Sequence, residues 1–275
     1  MKGSGMNRKP RFAIAVTVVF FVLLYLPILA VVLFSFNNKK SLTVFEGWSL
    51  RWYEAFFHDA ELTKSLQTSL VVAAVAMVGS VAIGALLAFG LVRARSKLGR
   101  AANIIMLIPL ITPEIVTGVA SLMLFKGVGL QPSLATLIIA QTTFSISYVT
   151  VILRARVAEL NPELEQVAMD LGASRIEALR LVTLPAMWPA LMSAAILIFT
   201  IVFDDFVLAF FTSGVDPQPL SVRIYSAIRF GIQPSINAVG TLMLLASLAL
   251  IAIALLVPRF FGKRGNGLDL FGGTA

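Results

Sequence analysis

Apolar residues fall in six long runs, near 12–36, 66–92, 101–125, 134–153, 191–211 and 236–257, with polar stretches between them. Each run supplies the roughly 20 residues that a helix needs to cross a hydrocarbon layer of about 30 Å, where a helix satisfies its own backbone groups. The pattern predicts an all-α membrane protein with six transmembrane helices. A tail of residues 1–11 precedes the six-helix domain, residues 12–257, and a second tail, residues 258–275, follows it. The first run comes after a basic start, but it is too long for the core of a cleaved signal peptide and lacks a small-residue cleavage boundary. It reads as a retained helix.

Composition supports a lipid setting: 58% of residues are hydrophobic and only 13% charged, against roughly a quarter charged in a soluble chain. The net charge of +8 gathers beside apolar runs, where it faces cytoplasm and anionic lipid, so no nucleic-acid partner is expected. Fifteen of the Lys and Arg residues fall on the side of both termini, among them Arg8, Arg93, Arg95, Arg154, Arg156, Arg180 and Lys263, and seven on the other. This bias predicts cytoplasmic termini. The absence of cysteine excludes thiolate chemistry, and the lone His58 cannot build a histidine metal cluster. Gly127 and Gly129 lie in an external turn without the GxxxxGK[ST] pattern, so the chain carries no ATP site of its own. In the first external loop, Ser49 is a candidate helix cap, and Trp52, Tyr53 and Phe56 read as membrane-interface anchors.

Three features interrupt the apolar pattern. In the third run, Pro109 and Pro113 predict a kinked or opened helix, and Glu114 needs water, a partner or the bundle interior around its carboxylate. In the fifth, Asp204 and Asp205 avoid lipid for the same reason. Pairing within or between subunits, lining a wet path, and acid-base chemistry are all open to them. In the second, Gly79, Gly84 and Gly90, with Ala73, Ala74, Ala82, Ala85 and Ala88, permit close helix approach.

The loop 154–190 carries a soluble-looking element, ELEQVAMDLGASRIEALRLVTLPAMWP at 163–189. Asn161 and Pro162 suit a helix start, and Leu164, Val167, Ala168 and Leu171 make one apolar face. Gly172 permits a sharp turn, Ser174 and Glu177 fit a capping box, and Pro185 and Pro189 are expected to stop the second helix. Two short helices at an angle either enter a groove on a partner or lie solvated against the bundle.

Gln166, Val167 and Ala168, then Gly172 after three residues and Val182-Thr183-Leu184-Pro185 after nine more, resemble the EAA loop of binding-protein-dependent ABC importer permeases. The motif's glutamate and first alanine are replaced by Gln166 and Val167, which puts in question an ion pair from the motif glutamate unless Glu165 supplies it. YLPILAVVLFSFN at 25–37, PLITPEIVTG at 109–118, DDFVLAFFTSG at 204–214 and IRFGIQPSINAVGTLM at 228–243 are similar to the polyamine permeases of the PotC/PotI type.

The resemblance implies a non-catalytic subunit of an ATP-driven importer in the bacterial inner membrane, with putrescine or spermidine as cargo. Its implied partners are a second homologous permease, two ATP-binding subunits that hold ATP and Mg, an extracytoplasmic solute-binding protein, and membrane lipid. It places Glu165, Gln166, Val167, Ala168, Asp170, Gly172, Ala173, Leu184 and Pro185 in the ATPase-coupling element. Glu114, Asp204 and Asp205 become candidates for attracting the cation along the path. An importer of another small organic solute, or an ion-driven secondary transporter, is the alternative.

Overall fold

The structure, a computed structural model, describes residues 11–41, 43–93, 97–161, 163–230 and 234–262. The tail basics Lys2, Arg8, Lys9, Lys263 and Arg264, together with Arg95 and the helix-starting Pro162, lie outside the described residues. Thirteen α-helices follow one another in the described residues. They are α1 (Arg11–Ser35), α2 (Arg51–His58), α3 (Ala60–Arg93), α4 (Lys97–Ile105), α5 (Ile108–Ile111), α6 (Glu114–Gly127) and α7 (Leu134–Glu159), then α8 (Glu163–Asp170), α9 (Arg175–Ala178), α10 (Leu184–Asp204), α11 (Val207–Thr212), α12 (Leu220–Phe230) and α13 (Pro234–Gly262). A π-turn, Leu179–Thr183, joins α9 to α10. Among the described residues, five unbroken helices are long and apolar enough to span a membrane. A sixth span is available if Ala101–Ile111 and Glu114–Gly127, bent by 107°, count as one.

The chain forms two compact units. In the unit of residues 1–59 and 227–244, α1 leads into a loop organised around buried Asn37. Its amide donates to the carbonyls of Ser41 and Val44, and its Oδ1 accepts from the Glu46 N–H. The Trp52 indole donates to the Asn37 carbonyl at 2.7 Å, and the Ser35 and Tyr53 hydroxyls lie 2.8 Å apart. Trp52 and Phe56 are therefore buried side chains, 6% and 2% exposed, not interface anchors. Leu50 holds the cap position of α2, and the Ser49 hydroxyl, one position earlier, accepts from the N–H of Arg51, the first residue of that helix, so Ser49 supplies its side-chain cap.

In the unit of residues 60–226 and 245–275, α3 lies along α7, and α10 packs on both. Small residues set the approach: a Cβ on Gly84 would sit 2.7 Å from the Val149 Cβ, and one on Gly79 would sit 3.1 Å from Thr142. Ala73 and Ala88 are fully buried, whereas Gly90 and Ala82 face outward and take no part. Gly84→Leu is expected to cost about 1–3 kcal/mol by overpacking, read as a lower thermal midpoint of the purified protein. Gly90→Leu, where a Cβ meets nothing within 4 Å, serves as the neutral control.

Two helices break inside this unit. Thr112, extended at ψ 131°, precedes Pro113, because the residue before a proline avoids the helical region. The chain restarts as α6 at Glu114. The second break follows Asp204, where Asp205 turns extended at ψ 127° before the short α11. The fifth span thus ends at Asp204 and does not run on to residue 211. At its other end it begins upstream of the expected prolines. Arg175–Asp204 is one continuous helix of 30 residues, because Pro185 occupies its first turn after the π-turn, where no intrahelical N–H is required, and Pro189 is absorbed within α10. The Leu184 N–H bonds the Leu179 carbonyl five residues back, which widens the turn ahead of Pro185. Neither proline stops the helix.

Candidate functional site

The loop element is built by local chemistry. The Asn161 side chain accepts from the Glu163 N–H at 3.0 Å and starts α8. At its end the Ala173 N–H bonds the Ala168 carbonyl and the Gly172 N–H bonds the Met169 carbonyl. This is a Schellman closure that requires Gly172 at φ +97°. The Ser174 and Glu177 capping box then forms reciprocally, with the Glu177 carboxylate accepting from the Ser174 N–H at 2.7 Å and the Ser174 hydroxyl accepting from the Glu177 N–H at 3.3 Å. The angle between α8 and α9 follows from these bonds.

The apolar side chains of this element are uncovered: Val167 is 54% and Leu171 84% exposed, and Ile176 and Leu181 are exposed beyond them. Gln166, Asp170 and Gly172 are also exposed, while Ala168 and Ala173 are half-buried. Leu184 and Pro185 belong to the first turn of α10. Glu165 differs from its neighbours, because Arg93 at the end of α3 donates to both its carboxylate oxygens at 2.5 and 2.6 Å, and the buried Thr183 hydroxyl donates to one of them.

Glu114 and Asp205 meet at the two helix breaks. Glu114, first residue of α6, lies within hydrogen-bonding reach of Asp205. Asp205 accepts from the buried Gln141 amide of α7 at 2.5 Å and from the Ala209 N–H at 3.0 Å, which caps α11. The Asp205 carbonyl accepts from the Ser221 hydroxyl of α12 at 2.7 Å. Asp204 lies elsewhere: it is exposed and accepts from the Ser247 hydroxyl of α13 at 2.5 Å. The helix end therefore sends adjacent aspartates to different partners. None of the ion pairs among the described residues includes Glu114, Asp204 or Asp205.

The half-helices α6 and α11 press together beside this cluster, where a Cβ on Gly118 would come within 2.7 Å of the Phe211 ring. Phe206 and Tyr225, with ring centroids 4.7 Å apart, stand next to the Asp205 break. Arg93, Thr183, Gln141, Ser221 and Ser247 are participants that local sequence patterns do not single out. Gln141 and Ser247 carry one signal, a polar side chain amid an apolar run.

Residues 80–264 match the family described as binding-protein-dependent transport system inner membrane component. The putrescine transport system permease protein PotI of Escherichia coli K12 is 36% identical over 82% of this chain and 82% of its own length. The spermidine/putrescine transport system permease protein PotC of Haemophilus influenzae is 35% identical over 88% of this chain and 94% of its own. Among solved structures, a chain of a bacterial ABC transporter involved in the import of the acidic polysaccharide alginate aligns with TM-score 0.68 at 15% identity, covering 92% of this chain and 94% of that one. A chain of the MetNI methionine ABC transporter in inward-facing form aligns with TM-score 0.57 at 18% identity, covering 78% and 98%. These two likenesses concern the fold.

Proposed function

The chain belongs to the family of binding-protein-dependent transport system inner membrane components, and from that premise we propose that it is the permease subunit of an ATP-driven polyamine importer. The observation that carries the reading is the pairing of an exposed, capped helical knob with acidic residues at two broken helices. The knob suits docking and the acids suit a polycation. The termini and residues 154–190 face the cytoplasm, and the loop meets one of two ATP-binding subunits, which hold ATP and Mg. A second homologous permease completes the path, and an extracytoplasmic binding protein delivers the solute.

The geometry supports a route for coupling. The exposed face of α8, with Gln166, Val167 and Leu171, enters the ATPase groove, and the Gly172 bend fixes the angle at which α9 leaves. From there one helix of 30 residues, about 45 Å long at the α-helical rise, ends at the acid cluster. Movement of the knob is thereby delivered to the break that carries Asp205. Glu114, Asp204 and Asp205 offer acidic groups to an alkylammonium cargo, and their cost at membrane depth is offset by water, a cation or hydrogen-bond donors such as Gln141 and Ser247.

The test is uptake into proteoliposomes holding the complete assembly, challenged in turn with putrescine, spermidine and a non-amine solute. ATP-dependent uptake of the amines alone is expected. Uptake of the non-amine solute instead would keep the importer and replace its cargo, and uptake by this chain alone on an ion gradient would overturn the importer.

A further inference from the structure

Packing anchors α8 weakly. None of its residues is buried, and a cavity of about 210 Å³, lined by Val92, Val157, Leu160, Leu164 and Val182 among others, lies between it and the ends of α3, α7 and α10. A helix resting only on such a space would be free to slide or roll. A polar contact crosses from α8 to the bundle: the Glu165 carboxylate, held by Arg93 of α3 and by Thr183 at the last residue of the π-turn.

We propose that Glu165 is a positioning residue that pins the coupling helix to α3 and α10 together, so that displacement of α8 drives both membrane helices as one body. Glu165 then acts through this chain's own helices, while the neighbouring Gln166 and Val167 keep the outward face. Arg93 is more than half exposed, so solvent screens the ion pair and its share of global stability is small. What the pair fixes is direction, because two donors on different helices converge on one carboxylate. The inference rests on reading the 163–183 element as the ATPase-docking site.

The experiment uses the full assembly in proteoliposomes, with putrescine as the probe, or the non-amine solute if that is what the wild type takes up. Three quantities are measured: solute moved per ATP hydrolysed, ATPase rate, and crosslinking from Ala168→Cys to the ATPase. Glu165→Gln is expected to crosslink normally and hydrolyse ATP, yet move about fivefold less solute per ATP, within the range for directly coupled neighbours. Arg93→Gln should do the same, and the double variant should be no worse than either single one. Thr183→Val keeps both charges and should also lower the ratio; it keeps the test decisive if Glu165→Gln does not assemble. An unchanged ratio in an assembled Glu165→Gln or Thr183→Val complex overturns the proposal. So does a lost crosslink, because Glu165 would then serve docking itself. Absence of the crosslink in the wild-type assembly would remove the docking reading and this inference with it.

Discussion

Asp205→Asn is expected to lower uptake of a polycationic solute about tenfold to a hundredfold, the worth of one charged hydrogen-bonding partner at roughly 1.5–3 kcal/mol. Assembly and ATPase docking should be unaffected. Both bonds go to one oxygen, Asp205 Oδ2, and asparagine can keep its own oxygen at that position, so the Gln141 amide and the Ala209 N–H retain their acceptor while the charge is lost. Asp205→Ala is a different lesion. It uncaps α11 and strands the buried Gln141 amide, and its added structural cost is about 1–3 kcal/mol. Asp204→Asn, at a side chain that accepts from the Ser247 hydroxyl, isolates charge more cleanly still. Kinetics of putrescine uptake measured for the three variants separate these effects. Wild-type kinetics in both Asn variants would remove the acids from cation attraction.

Gly172→Val should cut ATP-dependent uptake about fivefold to thirtyfold. A β-branched residue at φ +97° carries strain of roughly 1–2 kcal/mol, and that energy is enough to depopulate the bent conformation by such a factor. Both Schellman bonds to Ala168 and Met169 depend on this residue. Their loss would swing α8 relative to α9, so the crosslink from Ala168→Cys should weaken in proportion to uptake. Gly172→Asn should recover part of both, since asparagine tolerates positive φ better than other side chains. Equal activity of the Val and Gly proteins would show that the bend does not set the coupling geometry.

Local chemistry makes much of this molecule legible in its sequence. The Gly172 turn, the Ser174 capping box, the kink at Pro113 and the close approach at Gly84 each depend on residues within a few positions of one another, or on the absence of a side chain. What escapes a sequence reading involves either context or distance. Pro185 and Pro189 read as stops because a proline inside a helix normally costs a hydrogen bond, but a π-turn places Pro185 in a first turn where that bond is not required. The aspartates read as a like-charged pair, yet the helix ends between them and their side chains diverge. Gln141 to Asp205 and Arg93 to Glu165 join residues 64 and 72 positions apart, and no periodicity encodes them. Trp52 and Phe56 resemble interface anchors because aromatic side chains suit both settings, and the Asn37 loop decides for burial.

The unbroken helix from Arg175 to Asp204 also acts as a ruler and a compass. Its length and rotational phase jointly determine which way the Asp204 end faces for a given orientation of the knob. One residue added anywhere along it would lengthen the rod by about 1.5 Å but turn its far end by roughly 100°, redirecting both aspartates. The π-turn at Leu179–Thr183 already holds one residue more than an α-turn, and so sets that phase. Evolution could tolerate many substitutions along this helix while finding insertions or deletions within it far harder to accept.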